Sequence, residues 1–176
     1  YNLLDRFLVS LEFEDINPLI YLTKVDLLED DSLVNEVKKV YEEIGYPVIV
    51  ATEDETSLKQ IEATFSQKLT VFMGQSGAGK STLLNRIVPD LALETGEISS
   101  ALGRGKHTTR HVELLPIAGG LVADTPGFGS IDFLTVEARE LPRLFPEFVK
   151  LASQCRFREC SHINEPNCAV KEAVTE

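Results

Sequence analysis

Gly74-Gln75-Ser76-Gly77-Ala78-Gly79-Lys80-Ser81 fits G-x-x-x-x-G-K-[ST], the spacing at which a backbone loop wraps the phosphates of a nucleoside triphosphate. Each residue type has a chemical reason. Glycine lets the backbone take positive φ and approach phosphate closely, Lys80 puts a point charge on the β and γ oxygens, and the Ser81 hydroxyl can ligate Mg²⁺. Thr82 follows in the first turn of the outgoing helix. The loop needs a strand before it and a helix after it. The apolar run 68–73 and the pattern Ser-Thr-Leu-Leu-Asn-Arg-Ile-Val over 81–88 supply both. The helix N-terminus adds a positive dipole end beneath the phosphates.

Two further motifs carry complementary chemistry. Asp124-Thr125-Pro126-Gly127 is a D-x-x-G at a strand end, where Asp124 can hold Mg²⁺ through water and the Gly127 amide can meet a γ-phosphate. Thr23-Lys24-Val25-Asp26 resembles the [NT]-K-x-D base reader, in which the Asp26 carboxylate accepts from guanine N1–H and the exocyclic amine. Adenine cannot supply that pair of donors.

A separate constellation lies at Cys155-x₄-Cys160-x-His162-x₅-Cys168. Three thiolates and one imidazole are the complement of a closed, structural Cys₃His zinc site. Zn²⁺ there would leave a local charge near −1, which Arg156, Arg158 and Lys171 can offset. These are the only cysteines in the chain, and an odd number fits a disulfide framework poorly. A reducing, cytoplasmic setting fits better.

The elements that must position these groups follow from periodicity. A strand is predicted over 18–22. A helix capped by Asp31 or Ser32 follows, with Leu33, Val34, Val37, Val40, Tyr41 and Ile44 on one broad face, closed by Gly45. Another strand covers 47–51, the acidic turn Glu53-Asp54-Glu55 reads as a solvated loop, and a short helix runs over 57–65. Alternating strands and helices call for an α/β fold with a mostly parallel sheet flanked by helices. Residues 91–110 read as a long polar loop, of the kind that is functional or disordered. A hairpin of 112–117 and 121–123, joined through Gly119-Gly120, delivers Asp124. Helical patterns broken by Pro142 and Pro146 precede the cysteines.

Composition bounds the partners. The 176 residues carry a net charge of −11 and are 43% hydrophobic, enough for a real core. That charge argues against nonspecific polyanion binding, so any RNA contact must be local, with the basic residues of the cysteine segment the place to look. No run approaches the roughly 18 apolar residues that span a bilayer, and no membrane partner is expected. The opening at Tyr1, inside a helical pattern, suggests a longer native protein.

The base reader stands upstream of the phosphate loop, the reverse of the usual order in translation-factor GTPases, and this is a circular permutation. With the Gly103-Arg104-Gly105-Lys106-His107-Thr108-Thr109 loop, the 124–128 segment and the Cys/His tail, the chain resembles the circularly permuted small-ribosomal-subunit biogenesis GTPases, the RsgA/YjeQ type. The resemblance spans nearly all of it from Leu3 onward. It implies a permuted P-loop GTPase domain over 1–134, a small, incomplete helical zinc-binding domain over 135–176, and an OB-fold preceding residue 1. It also implies slow GTP hydrolysis stimulated by the small ribosomal subunit, late in that subunit's maturation, by a monomer in contact with the subunit and its rRNA. GTP or GDP, Mg²⁺ and Zn²⁺ are the expected cofactors. The fifth motif would fall at Val50-Ala51-Thr52, making Ala51 a base contact. Thr23 stands where the family often has Asn; its shorter side chain can still bond the phosphate loop but reaches the base less well.

For hydrolysis, Phe128 occupies the place where a water-orienting Gln stands in Ras-like enzymes, and a ring cannot hydrogen-bond water in that role. His107 offers an imidazole instead; a solvated loop residue or a ribosome contact are its other readings. Thr108 or Thr109 would ligate Mg²⁺, with Thr109 preferred. Arg104, Lys106 and Arg110 are either solvated or reach phosphate when the loop orders, and His111 reads as an edge residue. Three functions compete: a hydrolysing switch, a nucleotide-gated ribosome- or RNA-binding module in which hydrolysis is incidental, and an ATPase. The last is disfavoured by Asp26 and by the lack of an L-S-G-G-Q signature.

Overall fold

A computed structural model describes residues 2–91, 113–124 and 136–175. The expectations for His107, Thr108, Thr109, Gly127 and Phe128 lie outside these residues. Two compact units emerge: one from the described residues within 1–19, 38–47 and 131–176, the other from those within 20–37 and 48–130.

The second unit is built by alternation. Strand β1 (Ile20–Leu22) pairs in parallel with β2 (Val48–Val50), in the register Ile20 to Val48 and Leu22 to Val50. Strand β3 (Leu69–Val71) pairs in parallel with β5 (Gly120–Asp124), and β5 pairs antiparallel with β4 (Glu113–Ile117). The expected α/β alternation is therefore present, and the described strands form two sheets, the larger with an antiparallel edge. Helix α3 (Thr56–Ala63) buries Leu58 and Ile61, and α4 (Lys80–Ile87) buries Leu83 and Leu84. Val122 on β5 is fully enclosed.

The hairpin turn sits one residue earlier than its glycines suggest. Ala118 (φ +48) and Gly119 (φ +77) are its left-handed pair, so Gly120 begins β5. Ala118 accepts the unfavourable conformation because the two-residue turn twists with its strands. Gly120 is required for another reason: a Cβ there would lie 1.9 Å from the Phe65 carbonyl oxygen. The tip is held against the α3–β3 connection by the Gln67 amide on the Gly119 carbonyl (3.0 Å) and the Leu121 amide on the Lys68 carbonyl (2.9 Å).

In the first unit, α1 (Asn2–Phe13) offers carboxylates to two buried phenols: Tyr41 donates to Asp5 (2.6 Å) and Tyr46 to Glu12 (3.0 Å). Burial and the Glu12 bond push the Tyr46 phenol above its ordinary range. Both tyrosines lie near the end of α2 (Ser32–Ile44); the start of that helix, which belongs to the second unit, is organised by Asp30 accepting from the Ser32 amide (2.8 Å) and hydroxyl. The predicted caps, Asp31 and Ser32, thus miss the acceptor by one or two residues. Its end carries two distinct closures. The Gly45 and Tyr46 amides return to the Tyr41 carbonyl, and Lys150 of α5 (Pro146–Ala152) donates to the Glu43 and Ile44 carbonyls (3.1 and 2.6 Å). An ammonium at a helix C-terminus satisfies orphan acceptors and complements the dipole. Helix α6 (Ala169–Thr175) follows the cysteines. Among the described residues no helix is long and apolar enough to cross a membrane.

Candidate nucleotide site and Cys/His cluster

The phosphate loop leaves β3 and enters α4 at Lys80. Gly79 immediately precedes the helix at φ +90, and its α-hydrogen face lies against Thr23: a Cβ would sit 3.7 Å from the threonine Cβ. The left-handed backbone, rather than lack of space, demands glycine there. Within the loop, the Ala78 amide donates to the Gln75 carbonyl (3.2 Å), tightening the turn through Ser76 and Gly77. Lys80 folds back over it, donating from Nζ to the Gly74 and Gln75 carbonyls at 2.6 and 2.8 Å. Partial burial lowers its pKa from the ordinary lysine value. The ammonium is thus held beside the amides that would face phosphate.

Strand β1 runs straight into the base-reading motif. Lys24 takes a left-handed conformation (φ +56), so Val25–Leu27 coil into a 3-10 turn that carries Asp26. The Thr23 hydroxyl donates to the Ala78 carbonyl at 2.8 Å, the bond to the phosphate loop that its short side chain was expected to make. Ala51 follows β2, its amide on the Leu22 carbonyl at 2.8 Å. One cleft of about 390 Å³ is lined by Thr23, Lys24, Asp26, Ala51, Gly79 and Thr82, bringing together residues from three separate motifs.

Other groups in this wall were not legible in the sequence. Arg86, at the end of α4, donates to the carbonyls of Thr52 (3.2 Å), Glu53 (3.1 Å) and Asp54 (3.2 Å), holding the loop after β2. Asp54 belongs to the acidic turn read as merely solvated. It is exposed, yet it accepts from the Thr52 hydroxyl (2.6 Å) and the Thr56 amide (3.0 Å), which start α3. Those hydrogen bonds, Thr52 first, lower its pKa. Ser57, 1% exposed, accepts from the Thr52 amide and lies 3.3 Å from the Tyr21 hydroxyl. An Asp two residues before Thr at a helix start was a readable capping signal; the reach of Arg86 was not.

Asp124 is the last residue of β5. Because β5 runs parallel to β3 with Ala123 opposite Val71, Asp124 leaves the ladder at the edge from which the phosphate loop leaves.

The cysteine segment forms its own centre. Ligand atoms of Cys155, Cys160, His162 and Cys168 all lie within 4.8 Å of one another. His162 Nδ1 is 3.3 Å from Cys168 Sγ and 3.8 Å from Cys155 Sγ. The Phe148 ring meets the imidazole edge to face at 5.6 Å. Burial pushes the Cys160 thiol up to about 11. Burial acts in the same direction on Cys168, but hydrogen bonds from the Lys171 amide, His162 and the neighbouring thiols bring it to about 7.

Comparison with known proteins places this geometry in a family. A family model described as RsgA GTPase matches residues 1–134. The small ribosomal subunit biogenesis GTPase RsgA of Enterococcus faecalis is 65% identical over 99% of the chain, and that of Bacillus subtilis is 53% identical over 98%. The chain spans 59% of the length of each. Among solved structures, YloQ, described as a circularly permuted GTPase, superposes with a TM-score of 0.78 at 45% identity, covering 98% of this chain and 55% of that one. YjeQ from Thermotoga maritima gives 0.76 at 34% identity, covering 98% of this chain and 58% of that one. With the base reader preceding the phosphate loop and both meeting in one cleft, the chain belongs to the RsgA GTPase family.

Proposed function

We propose that this chain is the catalytic part of a guanine-nucleotide switch that binds GTP and GDP, hydrolyses GTP slowly, and acts in late maturation of the small ribosomal subunit. The observation that carries the reading is the cleft shared by Thr23, Lys24, Asp26, Ala51, Gly79 and Thr82, with the base reader hydrogen-bonded to the phosphate loop. Asp26 takes guanine's two donors. The loop 74–79 wraps the phosphates, and Lys80 turns from the Gly74 and Gln75 carbonyls toward the β and γ oxygens.

Ser81, Thr109 and Asp124 would hold Mg²⁺, directly or through water, and the bound ion would neutralise charge on the β and γ oxygens. The Gly127 amide meets the γ-phosphate, and His107 orients the attacking water in place of a glutamine. Domains follow the motifs: GTPase residues 1–134, then a zinc-binding segment over 135–176. The donor set of the latter fits zinc. A tetrahedron with Zn–S about 2.3 Å and Zn–N about 2.0 Å has edges of roughly 3.5–3.8 Å, close to the 3.3 and 3.8 Å found here. His162 would bind through Nδ1, and the ion's role is structural.

The relatives' names speak of small-subunit biogenesis; the proposed partners are that subunit and its rRNA, for a cytoplasmic monomer. Titration with GTP, GDP and ATP, followed by single-turnover hydrolysis with and without small ribosomal subunits, tests the reading. Tight ATP binding would overturn the base assignment. Guanine binding without stimulated hydrolysis would leave a nucleotide-gated binding module.

A further inference from the structure

Glu165 stands between His162 and Cys168 and contributes no atom to the four-residue cluster. Its carboxylate is nevertheless fully engaged. Oε1 accepts from the Ser161 amide (2.8 Å) and hydroxyl (2.6 Å), and Oε2 accepts from the amides of Ile163 (3.2 Å) and Asn164 (3.1 Å). Four donors converge on one side chain, and they come from both sides of His162. That histidine has φ +60, a left-handed conformation uncommon for a residue with a Cβ. The turn so formed aims the imidazole Nδ1 at two sulfurs. The Ser161 bonds first, then the other amides, hold the Glu165 carboxyl down to about 2, so it remains an acceptor at neutral pH.

We infer that Glu165 is a positioning residue of the metal centre: by collecting the donors of Ser161, Ile163 and Asn164 on either side of His162 it fixes that residue in the orientation that completes the ligand set. This rests on the zinc reading of the cluster. A carboxylate is needed because both of its oxygens accept. Glutamine, with the same shape, keeps one acceptor and turns an amide NH₂ toward donors, leaving at least one side of the turn without its acceptor.

The test uses the full chain, stripped of metal under reducing conditions and titrated with Zn²⁺ against a chelator of known affinity. Co²⁺ in parallel reports geometry through its visible absorption. Glu165→Gln should weaken Zn²⁺ binding about 10- to 100-fold, the usual range for a group that orients a ligand from outside the coordination sphere. Its Co²⁺ bands should shift or lose intensity. Glu165→Asp, which keeps both oxygens on a shorter arm, should fall between. Glu172→Gln removes the same charge from α6 and should change neither measurement. GTP affinity, read on each variant, checks that the nucleotide unit remains folded. Wild-type Zn²⁺ affinity and Co²⁺ spectrum in Glu165→Gln would overturn this inference and leave the zinc reading standing. Failure of the wild-type chain to take up either ion would overturn both.

Discussion

The Thr23 hydroxyl reaches the Ala78 carbonyl across 55 residues of sequence at 2.8 Å, joining the base reader to the phosphate loop by one neutral hydrogen bond. Permutation has moved the base reader to the other side of the loop in sequence, and this bond closes the site in space. Thr23→Val keeps the volume and removes the donor. A net loss of about 0.5–1.5 kcal/mol follows, or roughly 2- to 12-fold weaker binding of GTP and GDP alike. Equilibrium titration of both nucleotides checks it. A loss confined to GTP would place Thr23 at the γ-phosphate instead.

Asp26 lines the same cleft. Asp26→Asn replaces an acceptor pair with an amide, and the mismatch with guanine's donors should cost about 1–3 kcal/mol. Preference over xanthine nucleotides should erode in proportion. Competition between GTP and XTP measures the change directly, and undiminished guanine preference would remove Asp26 from the role.

Legibility divided along a physical line. Motifs whose chemistry is carried within one short stretch of chain, such as 74–81, 23–26 and the Cys/His spacing over 155–168, could be read because backbone continuity keeps their groups near one another. The bond from Thr23 was foreseen since a threonine hydroxyl has a fixed short reach. Arg86 could not be: its three carbonyl acceptors belong to a loop more than 30 residues away, and only packing of α4 against α3, which follows that loop, brings them within range. The hairpin turn went to Gly119-Gly120 because two glycines suggest a left-handed pair. The structure uses Ala118-Gly119 instead, since Gly120 is reserved for close approach to Phe65.

Gly120→Ala tests that close approach. With Cβ 1.9 Å from a backbone oxygen, neither atom can yield by side-chain rotation, so the hairpin must move. Overpacking of this kind costs about 3 kcal/mol, and Tm should fall by roughly 6–12 °C for a chain of this size. A thermal melt of the nucleotide-free protein reads it, with Gly119→Ala as comparison. There the strain comes from φ +77 and the nearest atom is the Ser66 hydroxyl at 3.8 Å, so the smaller loss is expected.

Zinc uptake should release protons. Cys160 is raised to about 11 in the metal-free cluster, so its thiol is protonated at neutral pH and must lose its proton to bind. Between pH 7 and 9 the affinity for Zn²⁺ should therefore climb with pH, with at least one proton released per ion. Below pH 7 the dependence should steepen as Cys168, at about 7, also becomes protonated. Chelator competition across this range checks the slope. A pH-independent affinity would mean that Cys160 is not a ligand.

Catalysis provides the sharpest separation of binding from chemistry. Phe128 follows Gly127 where a water-orienting glutamine would serve, and an aromatic ring cannot hold water for attack. His107 lies in the sequence between Gly103 and Arg110, flanked by Lys106 and the threonine pair from which a Mg²⁺ ligand is expected. An imidazole accepts a hydrogen bond from water near neutral pH. His107→Ala should accordingly lower ribosome-stimulated single-turnover hydrolysis by about 10² or more, while GTP affinity stays within a few-fold. Lys80→Ala should behave differently, losing nucleotide binding itself, because its ammonium is held on the phosphate loop by the Gly74 and Gln75 carbonyls. If stimulated turnover is equal in wild type and His107→Ala, the water-orienting group must be supplied by the ribosomal subunit, and His107 is a loop residue without a part in the chemistry.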